Sequence, residues 1–196
     1  MFFEPKIYSN VSSGSIEVIC GSMFSGKTEE LIRRVKRAKL AKQKIKIFKP
    51  KQDVRYSKKK VKSHDNNSIK SKPVNSPKKI LELSEKFDII GIDEAQFFDN
   101  SIVEVCNKLA NAGKRVIVAG LDMDYKGNPF GPMPNLLAIA EYVTKVHAIC
   151  TRSGKMASYT HRIVKNEDLV LLGDTRKYEA LSRIEFLKAK KKKKHD

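Results

Sequence analysis

Residues 15–28 read SIEVICGSMFSGKT. The first six, Ser15 to Cys20, are a short, apolar, β-rich run of the kind that makes a buried strand. The last eight, Gly21-Ser22-Met23-Phe24-Ser25-Gly26-Lys27-Thr28, satisfy G-x-x-x-x-G-K-[ST] at every position. In residues 28–42, Leu31, Ile32, Val35 and Ala38 fall at helical spacing, and Arg33, Arg34, Lys36 and Arg37 cover the other faces. Strand, glycine-flanked loop and helix follow one another as a phosphate-binding loop requires. Its glycines let backbone N–H groups turn inward on a polyphosphate, and the helix N-terminus adds positive potential. Lys27 is then placed to reach the β- and γ-phosphates, and the Thr28 hydroxyl to ligate Mg²⁺.

Working outward, residues 44–48 alternate apolar and basic and predict a strand. Residues 51–77 are polar, rich in Lys, Ser and Asn, and predict a long loop or loose hairpin. Strands are expected at 88–92, 115–119 and 143–150, and helices at 102–112, closed by Gly113, and at 135–142. The run at 115–119 is almost wholly apolar, as in a parallel sheet covered on both faces. Residues 127–134 hold three prolines and are expected to be irregular. Past residue 150 the texture changes to a small hairpin or extended loop at 156–164 and 169–172, and a short element at 178–187. The expected fold is therefore α/β, a P-loop nucleotide-binding domain with a central, mostly parallel sheet over residues 1–149. A small C-terminal domain over 150–187 and a disordered lysine-rich tail over 188–196 follow.

A second constellation sits at Ile89-Ile90-Gly91-Ile92-Asp93-Glu94-Ala95-Gln96, where an apolar strand ends in two carboxylates. Beside a phosphate loop such a strand end faces the metal and the γ-phosphate. Asp93 suits Mg²⁺ through water, and Glu94 suits a general base that takes a proton from the attacking hydroxyl or water. Gln96 is placed to orient the acceptor. Together these sites define MgATP or MgGTP chemistry without naming the acceptor. A nucleic-acid motor carries a similar strand end, but it needs two such domains, and 196 residues hold one.

Composition narrows the setting. Lys and Arg outnumber Asp and Glu by 40 to 22, a net charge of +18, and only six of those 40 lie in residues 188–196. The excess is mainly Lys without interleaved aromatics, so only weak, salt-sensitive attraction to nucleic acid is expected, with no specific nucleic-acid partner. No apolar run reaches the ~20 residues of a membrane span, and no basic-then-apolar leader opens the chain, so no membrane role and a cytoplasmic location are expected. Cys20, Cys106 and Cys150 are odd in number and widely spaced, which is not a disulfide framework.

At this point the chain resembles the cellular-type (type II) thymidine kinase family. The resemblance runs from about Ser15 to Phe186 through GSMFSGKT, KIKIFKPKQDVRYS, SHD, GIDEAQFFD, ANAGKRVIVAGLD, NPFG, SYTHR and RKY. It implies transfer of the ATP γ-phosphate to the 5′-hydroxyl of thymidine and deoxyuridine, a parallel-sheet domain with a small lasso-bearing domain, and a homotetramer. By the resemblance Glu94 is the catalytic base, and the loop Gly21 to Thr28 with Asp93 serves phosphate and metal. Asp53 and Arg55 match positions near the metal and phosphates, and Arg162 a position near the acceptor. Met23, Phe97, Leu121, Tyr125 and Phe130 match the wall of the nucleoside pocket, and Thr160, Leu169, Leu171 and Tyr178 match lasso positions. Tyr125 replaces the family's usual Phe and keeps the ring.

One departure stands out. The family's small domain is usually held by a structural zinc on two Cys-x-x-Cys-type pairs. Here the first pair reads Cys150-Thr151-Arg152-Ser153, and the second falls at Leu181-Ser182-Arg183-Ile184-Glu185-Phe186 with no cysteine. One thiolate does not close a four-ligand site, and His147, His161 and Glu185 follow no metal spacing, so no zinc is expected. The small domain would then rest on packing through Ile149, Met156, Ile184 and Phe186, or on subunit contacts. A P-loop ATPase acting on nucleic acid and a non-catalytic nucleotide-binding protein are the competing readings.

Overall fold

The computed structural model describes residues 14–51, 60–62, 68–164, 168 and 176–192. The chain runs β1 (Ser15–Cys20), α1 (Lys27–Leu40), β2 (Ile45–Pro50), β3 (Lys60–Lys62), β4 (Ser68–Lys70), β5 (Lys72–Val74), α2 (Pro77–Leu83), β6 (Ile89–Ile92), α3 (Ser101–Asn111), β7 (Arg115–Gly120), α4 (Met133–Ile139), β8 (Tyr142–Lys145), β9 (Ala148–Ile149), β10 (Met156–Ala157), β11 (Tyr159–Arg162), β12 (Tyr178–Leu181) and α5 (Arg183–Lys192), with a 3-10 turn at Ala95–Phe97. Six strands form one sheet in the order β5-β2-β6-β7-β1-β8. Every pairing in it is parallel.

Strand alternation explains the near-continuous apolar runs. Ile16, Val18 and Cys20 of β1 join Ile90, Ile92, Val116 and Val118 on one face, under Ile102, Val105, Cys106 and Leu109 of α3 and Met133 and Leu136 of α4. Ile19, Ile47, Ile89, Ile117 and Ala119 face the other way, under Leu31, Ile32, Val35 and Ala38 of α1. Both faces of the central strands β6 and β7 are covered, so these two read as near-continuous apolar runs. Burial pushes the Cys106 thiol up to about 12, that of an inert core residue.

The α1 face also carries a buried charge. Glu17 is fully buried in β1. It accepts hydrogen bonds from Arg34 Nη1 at 2.7 Å and from Arg115 Nε at 2.5 Å. Arg34 reaches Glu30 at 2.8 Å and Thr144 at 2.9 Å as well, so β1, α1, β7 and β8 meet at one ion network. Burial by itself would raise the Glu30 carboxyl, but hydrogen bonds from Arg33 and Arg34 outweigh it and lower the pKa.

Several elements differ from the sequence expectation. Residues 51–77 hold the antiparallel β3–β4 hairpin, in line with the loose hairpin expected there, and also the parallel edge strand β5, which was not expected. Helix α2 was not expected, because its apolar positions are few; Pro77 starts it and Ile80 anchors it in the core. The strand expected over 143–150 is two strands: β8 closes the main sheet and β9 pairs with β10, with Val146 N bonded to Cys20 O at 2.9 Å between them. The helix α4 begins at Met133, inside the stretch expected to be irregular. The element expected over 178–187 resolves into β12 and α5, and α5 continues to Lys192. Lys188 to Lys192, expected in a disordered tail, are therefore helical. Residues 193–196 lie outside the described residues.

The ion network yields a stability prediction. Replacing Glu17 with Ala leaves two arginines facing a buried gap, at a cost of about 3 kcal/mol in urea unfolding. A change below about 1 kcal/mol would show that the network holds nothing together.

Candidate active site

Parallel register brings the C-terminal ends of the central strands to one edge, where Cys20 lies level with Gly120 and Lys145, and Ile92 with Val118 and Phe48. The loop after β1 wraps back on itself there. Lys27 Nζ donates to Ser22 O at 2.6 Å and Ser25 Oγ to the same carbonyl at 2.8 Å. Gly21 and Gly26 take φ of 144° and 84°, and Phe24 takes 64°. Helix α1 opens with Glu30 N bonded to Gly26 O at 2.9 Å, so its first turn faces the loop.

The next strand end supplies the carboxylates. Asp93 is 5% exposed, and both its oxygens lie 3.4 Å from Thr28 Oγ1. Glu94 follows in a left-handed backbone conformation, φ 53° and ψ 41°, which turns the chain into the 3-10 turn. Gln96 is 3% exposed and occupied at both ends. Its Nε2 donates to Glu94 Oε2 at 2.6 Å, and its Oε1 accepts from Leu121 N at 2.9 Å. Gln96, expected to face the acceptor or phosphates, thus holds Glu94 against the end of β7.

An apolar, aromatic cluster lies beside these groups. Met23, Leu121, Phe130 and Tyr178 pack together, with Phe97, Tyr125 and Phe24 partly buried against them. Phe97 and Phe130 meet edge to face at 5.8 Å. Arg162, 1% exposed, stacks its guanidinium over the Tyr125 ring at 3.7 Å. It also donates from Nε and Nη2 to the Tyr178 hydroxyl at 3.1 and 2.8 Å, and from Nη1 to Asp168 O at 2.5 Å. Thr160 Oγ1 accepts from Met23 N at 3.0 Å and so ties β11 to the phosphate loop. The structure therefore brings together every loop residue, Asp93, Glu94, Gln96, and the six apolar or aromatic residues proposed for the pocket, with Thr160 and Arg162. Asp53, Arg55, Leu169 and Leu171 lie outside the described residues.

Three charged residues were missed in the sequence. Lys145 pairs with buried Asp122 at 2.7 Å, and hydrogen bonding to Asp122 raises its pKa. Lys49, 2% exposed, lies one residue beyond the Phe48–Ile92 pair. A chain with 40 Lys and Arg residues gives no signal that these two lysines are buried or paired at the strand ends. Burial, followed by the charge of Asp122, raises the Cys20 thiol to about 11.

The small-domain positions compared with a zinc site are differently engaged. Burial would raise the Cys150 thiol, but the Ser153 side chain and backbone groups of Ser182, Arg152 and Ser153 outweigh it and bring the pKa to about 7. Ser182 Oγ accepts from Glu185 N at 3.5 Å, and Glu185 is paired with Lys188 at 2.8 Å. His147 Nδ1 lies 3.2 Å from Ser158 Oγ and His161 Nδ1 3.0 Å from Glu179. One sulfur donor and these committed side chains do not fit a closed zinc site.

A phosphate loop, an aspartate beside its threonine and an adjacent carboxylate on a parallel sheet define a P-loop nucleotide-binding α/β protein of the phosphoryl-transfer class. The thymidine kinase family model matches residues 14–186. The chain is 59% identical to a thymidine kinase of Bacteroides thetaiotaomicron over 97% of this chain and 96% of that protein. It is 61% identical to one of Bacteroides fragilis, over 93% of this chain and 92% of that protein, and 56% identical to one of Porphyromonas gingivalis, over 89% and 85%. The chain belongs to the thymidine kinase family.

The two loop glycines should behave differently. A Cβ at Gly21 would stand 2.1 Å from Val146 O, whereas at Gly26 nothing lies within 4 Å and only the positive φ opposes a side chain. Gly21→Ala is expected to weaken binding of a fluorescent ATP analogue by at least about tenfold, and Gly26→Ala by less than Gly21→Ala, at a strain of about 1 kcal/mol. Equal effects would mean that the Val146 contact does not shape the loop.

Proposed function

We propose that the protein transfers the γ-phosphate of ATP to the 5′-hydroxyl of thymidine, and of deoxyuridine, releasing ADP and the nucleoside monophosphate. The observation that carries this reading is the Glu94 carboxylate, bonded by Gln96, whose other end bonds Leu121 N of an aromatic cluster, and next in sequence to Asp93 beside the phosphate-loop Thr28. The cluster suits a flat pyrimidine: Met23, Phe97, Leu121, Tyr125, Phe130 and Tyr178 offer apolar and ring surface. Thr160 and Arg162 complete the nucleoside end, and the family resemblance assigns Leu169 and Leu171 to the same task. Arg162 does so by setting the angle of two walls, since it stacks on Tyr125 and bonds the Tyr178 hydroxyl.

At the other end, Lys27 and the N–H groups of residues 21–28 hold the β- and γ-phosphates, a task the family resemblance also assigns to Asp53 and Arg55. Thr28 and Asp93 present hard oxygen donors suited to Mg²⁺, Asp93 through water, and the bound ion would neutralise charge on the transferring phosphoryl group. Glu94 accepts the 5′-hydroxyl proton as that oxygen bonds to the γ-phosphorus and the bond to the ADP oxygen breaks. Gln96 keeps the carboxylate aimed, since its other end is anchored on Leu121 N. A cytoplasmic homotetramer belongs to the same reading. Among the described residues, no helix is long and apolar enough to cross a membrane.

The decisive experiment measures ATP-dependent formation of thymidine monophosphate by wild type and Glu94→Gln. The mutant should lose about 10²-fold or more in kcat with a nearly unchanged KM for thymidine. Absence of product from folded, ATP-binding wild type across several nucleosides would overturn the proposal. Gln96→Leu is expected to lower kcat by about tenfold, because the base is kept but loses its aim. An unchanged kcat there would remove Gln96 from the mechanism.

A further inference from the structure

The ribbon formed by β11 and β12 has two faces with different duties. Its register pairs Thr160 with Ala180, His161 with Glu179 and Arg162 with Tyr178. Side chains alternate along a strand, so Thr160, Arg162 and Tyr178 share the face that meets the phosphate loop and the aromatic cluster. His161 and Glu179 share the opposite face.

Glu179 is the junction of that second face. Its Oε2 accepts from Thr151 Oγ1 at 2.9 Å and from Arg152 Nε at 3.2 Å. Its Oε1 accepts from Arg152 Nη2 at 2.5 Å and lies 3.0 Å from His161 Nδ1. One carboxylate thus joins the turn between β9 and β10 to both strands of the ribbon. Thr151 N adds a backbone bond to Ala180 O at 3.1 Å. Tyr159, on the same face as His161, stacks on Phe186 of α5 at 4.5 Å. These contacts span the region in which the cysteine pairs are incomplete.

We propose that Glu179 is a positioning residue: its bonds to Thr151, Arg152 and His161 hold the β11–β12 ribbon without metal and thereby set Thr160, Arg162 and Tyr178 at the nucleoside pocket. The proposal rests on the thymidine kinase reading for its kinetic consequence, but not for its structural one. A bidentate arginine and two further partners satisfy the carboxylate; removing it unties Thr151 and Arg152, which reach solvent, and takes away the Nδ1 partner of buried His161.

The test compares wild type, Glu179→Ala and Arg152→Ala, purified without chelator or nickel affinity steps. KM for thymidine should rise about tenfold in Glu179→Ala, with kcat and KM for ATP within about threefold. Arg152→Ala, which removes one arm, should show the same split to a smaller extent and serves alone if Glu179→Ala does not fold. Amide exchange at residues 159–162 should accelerate in both variants, and chelator should leave the wild-type Tm unchanged. Unchanged thymidine KM and unchanged exchange in the variants would overturn the proposal. So would an equal rise in both KM values, or near-stoichiometric zinc whose removal lowers Tm. Wild type inactive on thymidine but with faster exchange in the variants would keep the hub and remove the activity assignment.

Discussion

Parallel strand pairing is the constraint on which the site depends. Because β1, β2, β6, β7 and β8 all point the same way, each delivers the residue after its last apolar position to one edge. Cys20 hands over to the phosphate loop, Ile92 to Asp93 and Glu94, and Gly120 to Leu121 and Asp122. No long-range search is needed to assemble the chemistry, since backbone hydrogen bonds already fix which residues are neighbours. The buried Glu17 network, which joins β1, β7 and β8 to α1, reinforces the same register from one side.

Much of this was legible in the sequence because the signals are local. A phosphate loop is defined by the residues within it, and a fully buried strand by its unbroken apolar run. The aromatic cluster was less accessible: Met23, Phe97, Leu121, Phe130 and Tyr178 are far apart in the chain, and only the family resemblance grouped them. The partners of Gln96 were not visible at all. Its amide bonds Leu121 N across 25 positions, a contact that leaves no periodic trace. Lys49, Asp122 and Lys145 were hidden for a different reason, since charge is abundant everywhere in this chain. Helix α2 escaped because seven residues give too little periodicity, and the break between β8 and β9 because both halves are β-formers.

The C-terminal segment shows how a small unit can be organised by directional bonds rather than a large core. Its cluster of Ala148, Cys150, Ala157, Tyr159, Ala180, Leu181, Phe186 and Ala189 contains four alanines, which bury little area. Orientation is then left to the Glu179 contacts, the Tyr159–Phe186 stack and the Arg183 guanidinium 5.0 Å from the Tyr159 ring. Such contacts define geometry better than they add stability.

Glu94 sits in a backbone region that glycine or asparagine occupies with less strain. The fold therefore carries conformational tension, of the order of 1 kcal/mol, at the residue proposed above as the base. A drift toward thermodynamic comfort at this site would trade away reactivity. Under the proposed role of Glu94, a chain released from the demand for turnover would gain stability by relaxing this turn.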